Sequence, residues 1–228
     1  RHLMTLLGQN DTCEENLSFL GAGCWQHHVP AICDEVWARS EFLTSVWGTP
    51  SSDLGRNQAW FEFASQLGEL LRMDFVGLPV YSWGAAAGHA FRMAARLTGR
   101  NRVLAPRAMD PERLAVIRTY CGSPELKGHI ELVGVNHDPA TGRYDMGDLR
   151  SKLTDETAAV YLETPSYLGI VETNAAEIAS LARAHGAETI VGVDPISLGV
   201  LAAPGDYGTD IAVGTTQPLG VHMNCGGG

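Results

Sequence analysis

The sequence predicts an α/β fold built on a mostly parallel sheet. Two observations carry that prediction. From about residue 80 onward, short runs that are nearly continuous in apolar residues alternate with helix-patterned segments. Strands of that kind, interleaved with helices, are those of a sheet buried on both faces. The second observation is bulk: 228 residues, 45% hydrophobic and 18% charged, suffice to enclose a large core and do not resemble a disordered chain.

The elements follow in order. Residues 1–55 read as an irregular lead segment containing helix, and residues 56–228 as the α/β domain, incomplete at its carboxyl end. Within the lead, "VPAICDEVWARSEFLTSVW" has helical spacing in part, with Val36, Trp37 and Phe42 as candidates for burial. Pro50 and the polar "TPSSDLG" break it. Arg56–Met73 reads as a long amphipathic helix, because Trp60, Phe63, Leu67, Leu70 and Leu71 recur on one face. "YSWGAAAGHAFRMAARLTG" is a glycine-rich entry into an alanine-rich helix ending at Gly99. "RVLAP" is a strand, followed by a helix near Asp110–Tyr120 and the strand "HIELVGV". A helical turn or short helix in "DMGDLRSKL" precedes the strand "TAAVYLETP". "TNAAEIASLARAHG" is a helix with Thr173 or Asn174 as N-cap and Gly186 beyond its end. "ETIVGVDP" and "DIAVGTT" complete five strands.

Composition narrows the function. A formal net charge of −10 argues against a nucleic-acid partner. No apolar run approaches the ~20 residues of a membrane span, and no signal peptide is evident. The five cysteines (Cys13, Cys24, Cys33, Cys121 and Cys225) contain no CxxC pair, so neither a disulfide framework nor a zinc site is expected and a reducing cytoplasm fits best. Arg1 in place of Met and a closing glycine run lead us to expect that both ends are cut.

Ligands of such sheets bind at the carboxyl ends of strands, which directs attention to Glu163–Gly169, Asp194–Gly199, Thr215–Gly220 and the turn Ser82–His89. "SWGAAAGHA" places small residues at a helix start, where free backbone N–H groups hold an anion such as phosphate; tight helix packing asks for the same residues. It is neither a Walker A motif nor a GxGxxG fingerprint. Asp194 ends the strand in "VGVDP", where a carboxylate can pair with the ring N–H⁺ of an electron-sink cofactor or simply form a turn before Pro195. Adjacent His27 and His28 cannot both face one metal, so no metal is expected. One of the two lining a pocket is the better reading, and His89 either faces the same pocket or is buried. HExxH and GxSxG are absent, and no recognisable triad order is present.

"FLGAGCWQHHVPAICDEVWARSEFLTSVW", "ETPSYLGIVE" and above all "GVDPISLGVLAAPGDYGTDIAVGTTQPLG" resemble the glycine decarboxylase P-protein family in its split bacterial form, subunit 1. The resemblance runs from about Asn16 to Gly228. It implies the large-domain part of the pyridoxal-phosphate-dependent transferase fold type I. The implied reaction is decarboxylation of glycine, or a related amino acid, with aminomethyl transfer to the lipoyl arm of the H-protein. In the split form the cofactor lysine lies in a homologous subunit 2, which binds most of the pyridoxal phosphate. Counted from Asp194, the equivalent position here is Pro218, which has no amine; only Lys127 and Lys152 are lysines. Asp194 is then a relic of the ring-nitrogen position or a structural residue. By the same resemblance His28, Tyr81, Ser82, Trp83, Gly84 and Gln217 line the shared cavity. Tyr81 and His28 would hydrogen-bond a substrate carboxylate or order a water.

The chain departs from the family pattern at several polar positions. Ser51 and Leu54 replace a glutamate and a glutamine, the Y-D-G turn reads Tyr81-Ser82-Trp83-Gly84, Ser166 follows Pro165 in place of asparagine, and Thr215 replaces a glutamate. The resemblance therefore leaves two readings, a subunit completing its partner's active site and a non-catalytic scaffold that stabilises or regulates that partner. A stand-alone aminotransferase or desulfurase would need the lysine. Trp47 and Trp60 are candidates either for an apolar interface or for the core.

Overall fold

A computed structural model describes residues 1–12, 15–17, 26–39 and 54–222, with backbone alone over 54–56. Phe42, Trp47, Ser51, Cys13, Cys24 and Cys225 lie outside the described residues. The elements are α1 (His2–Leu7), α2 (Ala31–Trp37), α3 (Leu54–Leu71), α4 (Trp83–Thr98), β1 (Arg102–Pro106), α5 (Pro111–Cys121), β2 (Glu131–Val135), α6 (Met146–Lys152), β3 (Thr157–Glu163), α7 (Ala175–Ala184), β4 (Glu188–Val193) and β5 (Ile211–Gly214). The five strands form one sheet in the order β2-β1-β3-β4-β5, with every pairing parallel.

Local chemistry fixes several helix boundaries. Ser82 accepts a hydrogen bond from the Ala85 N–H at 3.1 Å and so caps α4. That helix ends at Gly99, whose φ of 69° a residue with a Cβ adopts only under strain. Asp110 caps α5 through the Arg113 N–H at 2.7 Å, with Pro111 at the first helical position. Asp145 caps α6 through Gly147 and Asp148.

The sheet alternation sorts side chains into two cores. Leu104, Val160, Leu162, Val191 and Val193 point to one face and pack with Leu149, Ile178, Ala182 and Leu71, from α6, α7 and α3. Val103, Ala105, Ala159, Tyr161 and Ile190 point to the other and pack with Ala87, Phe91, Ala94 and Ile117, from α4 and α5. The central strand β3 is buried along its whole length, whereas the outer strands β2 and β5 are mostly half-buried.

Several expectations are corrected. Val36 is exposed and Trp37 is 77% exposed, whereas among the described residues Cys33 lies against Gly220 and Asp34 meets His222. The long helix starts and stops two residues earlier than its apolar period implied; Arg72, at φ 55°, ends it. Asn174, one of the two residues the sequence offered, is the N-cap of α7; its side chain makes no capping bond, and its N–H donates to the Glu172 carboxylate at 2.9 Å. Trp60 is half-buried and edge-on to Phe63.

Candidate functional site

The carboxyl end of the sheet holds a buried polar network centred on β3. A tyrosine in mid-sheet must satisfy its hydroxyl, and Tyr161 does so from both sides. The Trp83 indole N–H donates to its oxygen at 3.0 Å, and its own O–H donates to Glu163 at 2.8 Å. Arg113, from α5, donates to the same Glu163 oxygen at 2.7 Å. Its guanidinium also lies 3.8 Å from the Trp83 ring centre, close enough for a cation–π contact. Gly192 on β4 leaves room for this arrangement, since a Cβ there would sit 2.6 Å from the Tyr161 hydroxyl. Burial, reinforced by the neighbouring Glu163 charge, holds the Tyr161 hydroxyl well above its ordinary pKa, so it stays protonated and donates.

A second network adjoins the first. Tyr144 donates its hydroxyl to the Tyr161 carbonyl, and its backbone N–H donates to Glu172 at 2.7 Å. Burial and the charges of Glu163 and Glu172 raise the Tyr144 pKa as well. Beyond β3 the Thr164–Pro165 peptide is cis. Pro106, Val135 and Glu163, at the carboxyl ends of β1, β2 and β3, line a small cavity with Asn136, His137 and Arg143.

The seven residues singled out in the sequence take different places. Trp83 belongs to the network just described. Ser82, its neighbour, uses its hydroxyl as the α4 cap. Gly84 is buried against α5, where a Cβ would meet Val116 at 2.9 Å, and Gly88 one turn later faces Tyr120. Close approach of α4 and α5 thus accounts for the glycines of this run. Asp194 accepts the Ile196 N–H at 3.0 Å and shapes the turn after β4. Gln217 is 4% exposed and its amide nitrogen has no partner among the described residues. Tyr81 is 97% exposed and His28 is exposed. His89 is exposed, edge-on to Tyr120.

The lead segment meets the turn after β5. His27 Nε2 bonds the Val221 carbonyl at 2.6 Å, His222 Nε2 lies 2.6 Å from an Asp34 oxygen, and Cys33 lies against Gly220. Local sequence patterns did not single out Arg113, Tyr161 or Glu172. Tyr161 carried a signal, as the polar-tipped residue in an otherwise apolar run; Arg113 carried none, because its partners come from other elements.

The family model for the glycine cleavage system P-protein matches residues 1–228. A protein of Staphylothermus marinus described as probable glycine dehydrogenase (decarboxylating) subunit 1 is 41% identical over 213 residues, which cover 92% of this chain and 45% of that one. One of the same description from Aeropyrum pernix is 39% identical over 227 residues, 97% of this chain and 48% of that one. This chain therefore spans about half the length of the relatives it matches. Among solved structures, an inhibitor-bound glycine decarboxylase (P-protein) of the glycine cleavage system superimposes with a TM-score of 0.84 at 34% identity, over 99% of this chain and 49% of that one. Cystathionine gamma-lyase from Lactobacillus plantarum, at 23% identity and a TM-score of 0.51 over 68% of this chain and 36% of that one, shares the fold alone. The fold is that of the type I pyridoxal-phosphate-dependent transferases, and the chain belongs to the glycine cleavage system P-protein family.

Proposed function

We propose that this chain is the half without the cofactor lysine of a glycine decarboxylase of the glycine cleavage system, completing an active site on a homologous subunit 2 that carries that lysine. The observation that carries this reading is Pro218. It stands where the family resemblance puts the cofactor lysine, and it is buried in the turn after β5.

The residues present do not fit pyridoxal phosphate as a covalently held group of this chain. Lys152 bonds Asp148 at 2.6 Å and the Gly134 carbonyl at 2.7 Å, on the strand at the far edge of the sheet from β5. Lys127 is exposed in the connection leading into the amino end of β2. The Asp194 and Ser82 side chains each bond their own local backbone. The chain's role is therefore to wall the shared cavity, orient a substrate carboxylate and exclude water. The residues assigned to that wall are His28, Tyr81, Ser82, Trp83, Gly84 and Gln217, with Asp194 retained for its turn. The product aminomethyl group would pass to a lipoyl carrier, the H-protein or one like it.

The test is co-purification with subunit 2 from the native host and an absorbance scan of the complex. A Schiff-base band present only in the complex is expected. A borohydride-trapped cofactor on Lys127 or Lys152 of this chain alone would overturn the assignment.

A scaffold role is favoured by the same local engagement of Asp194 and Ser82. It predicts that substituting His28 or Tyr81 leaves the activity of an intact complex unchanged, whereas the shared-site reading predicts a large loss.

A further inference from the structure

We infer that His27, Asp34 and His222 form a latch that seats the lead segment on the turn after β5 and so fixes His28 relative to Gln217. The inference rests on the shared-site reading proposed above, because both of the residues it fixes belong to that wall. It adds three positioning residues that the reading does not contain.

Three observations converge on it. The first is that the contacts are reciprocal. His27, in the lead segment, bonds the Val221 carbonyl at 2.6 Å, and His222, in the turn, lies 2.6 Å from an Asp34 oxygen on α2. A carbonyl and a carboxylate only accept, so each histidine donates from Nε2, one in each direction across the same junction. The partners are 194 and 188 residues apart in the chain, so no local turn accounts for either bond.

The second is the backbone of the turn. Gly220 has a φ of 114°, in the left-handed region that favours glycine. The N–H groups of Gly220 and Val221 both donate to the Gln217 carbonyl, at 3.2 and 3.0 Å. The turn that holds Gln217 thus also carries the Val221 carbonyl and His222. A Cβ at Gly220 would lie 3.0 Å from Cys33 Sγ and 3.3 Å from Pro30, so the lead segment sits directly on this backbone.

The third is what the junction joins. Gln217 is 4% exposed and fixed by its turn. His28 is exposed and lies in no regular element, so the contacts of its neighbours set where it stands. An exposed ion pair alone is worth little. Together with the His27 bond and the Cys33–Gly220 contact, it holds one geometry.

The latch itself is read by NMR in the isolated full chain. A cross-relaxation peak between the Cys33 β and Gly220 α protons is expected in the wild type. It should weaken when His27→Phe and His222→Phe are combined, since each change keeps a ring and removes a donor. The positioning role is read by glycine decarboxylation in the complex with subunit 2. The combined variant should raise KM for glycine roughly fivefold or more. Its kcat should stay within about twofold, because saturating substrate draws the open form back to the latched one. His222→Lys, which restores a donor toward Asp34, should lie closer to the wild type than His222→Phe. Glu35→Gln, exposed on α2, should change neither readout. No Cys33–Gly220 peak in the wild type would overturn the inference, whatever the variants do. So would an unchanged KM in the combined variant when His28→Ala impairs the complex, and that result leaves the shared site standing. An intact complex unaffected by His28→Ala as well would remove the shared-site reading and this inference together.

Discussion

Arg113 and Glu163 form an ion pair of 2.7 Å that is almost closed to water, with side chains 14% and 1% exposed. The pair joins α5 to the end of β3, and the guanidinium also supports the Trp83 ring at the start of α4. Removing one partner leaves the other charge buried, at a cost of about 3–5 kcal/mol. Glu163→Gln should therefore lower stability by about that much in urea denaturation. Combining it with Arg113→Met should cost clearly less than the sum of the single changes, because both remove one interaction. Additive effects would mean that the pair is not coupled.

Gly88 sets the distance between α4 and α5. A Cβ at that position would lie 2.5 Å from the Tyr120 ring and Cβ, which cannot both stay in place. Gly88→Ala gains intrinsic helix propensity of about 1 kcal/mol, but overpacking costs about 1–3 kcal/mol. The expected outcome is a net loss in thermal stability, and a smaller loss when the same change is made in a Tyr120→Gly background, because glycine removes the Tyr120 Cβ as well as the ring. A rise in melting temperature for the single variant would show that the helices separate freely.

Much of the fold was legible because the sheet is buried. β1 reads directly from "RVLAP", and β3 and β4 from apolar runs too short for helices. Capping residues such as Ser82 and Asp110, and the terminating Gly99, mark helix ends in the sequence. What was not legible depends on contacts between distant elements. Trp37 looks like core from its side chain alone, yet α2 turns it to solvent. Asn174 was legible as the N-cap of α7, but the bond from its N–H to the Glu172 carboxylate, which also holds Tyr144, was not. Arg113 and Glu163 are ordinary charged residues until α5 is laid against β3. The glycines of "SWGAAAGHA" were open between anion binding and packing, and the closeness of Val116 and Tyr120 accounts for Gly84 and Gly88 by packing.

Asp148 gives the chain a stability term on the acid side. The Asn136 N–H at 2.7 Å, followed by the Lys152 ammonium at 2.6 Å, holds its carboxyl below the ordinary aspartate value. A carboxyl depressed on folding stabilises the native state above its unfolded pKa, about 3.9, and loses that contribution as pH falls through the folded value. The wild type should therefore lose stability between about pH 5 and the folded pKa. Asp148→Asn should flatten that part of the curve while costing under about 1 kcal/mol at neutral pH, the scale of a pair near solvent. Denaturant midpoints measured across the acid range give the comparison. Parallel curves would remove Asp148 from the account.

Glu172 ties two separate segments with one carboxylate. One oxygen takes the Tyr144 N–H, in the bridge that pairs Tyr144 with His137, and the other takes the Asn174 N–H at the start of α7. Both donors would otherwise be left unsatisfied beside a buried tyrosine. The negative charge also sits at the amino end of a ten-residue helix, where it is favoured. Glu172→Gln keeps the size of the side chain but removes the charge and one acceptor oxygen, and a hydrogen bond to a charged group is worth about 1.5–3 kcal/mol. Stability should fall by about 2 kcal/mol, with faster amide exchange at both Tyr144 and Asn174, although thirty residues of sequence separate them. Faster exchange at only one of the two would mean that the other finds a different acceptor and that the carboxylate does not act as a common clamp. Unchanged exchange at both would mean that the first turn of α7 is held by packing of Ala175 and Ile178 alone.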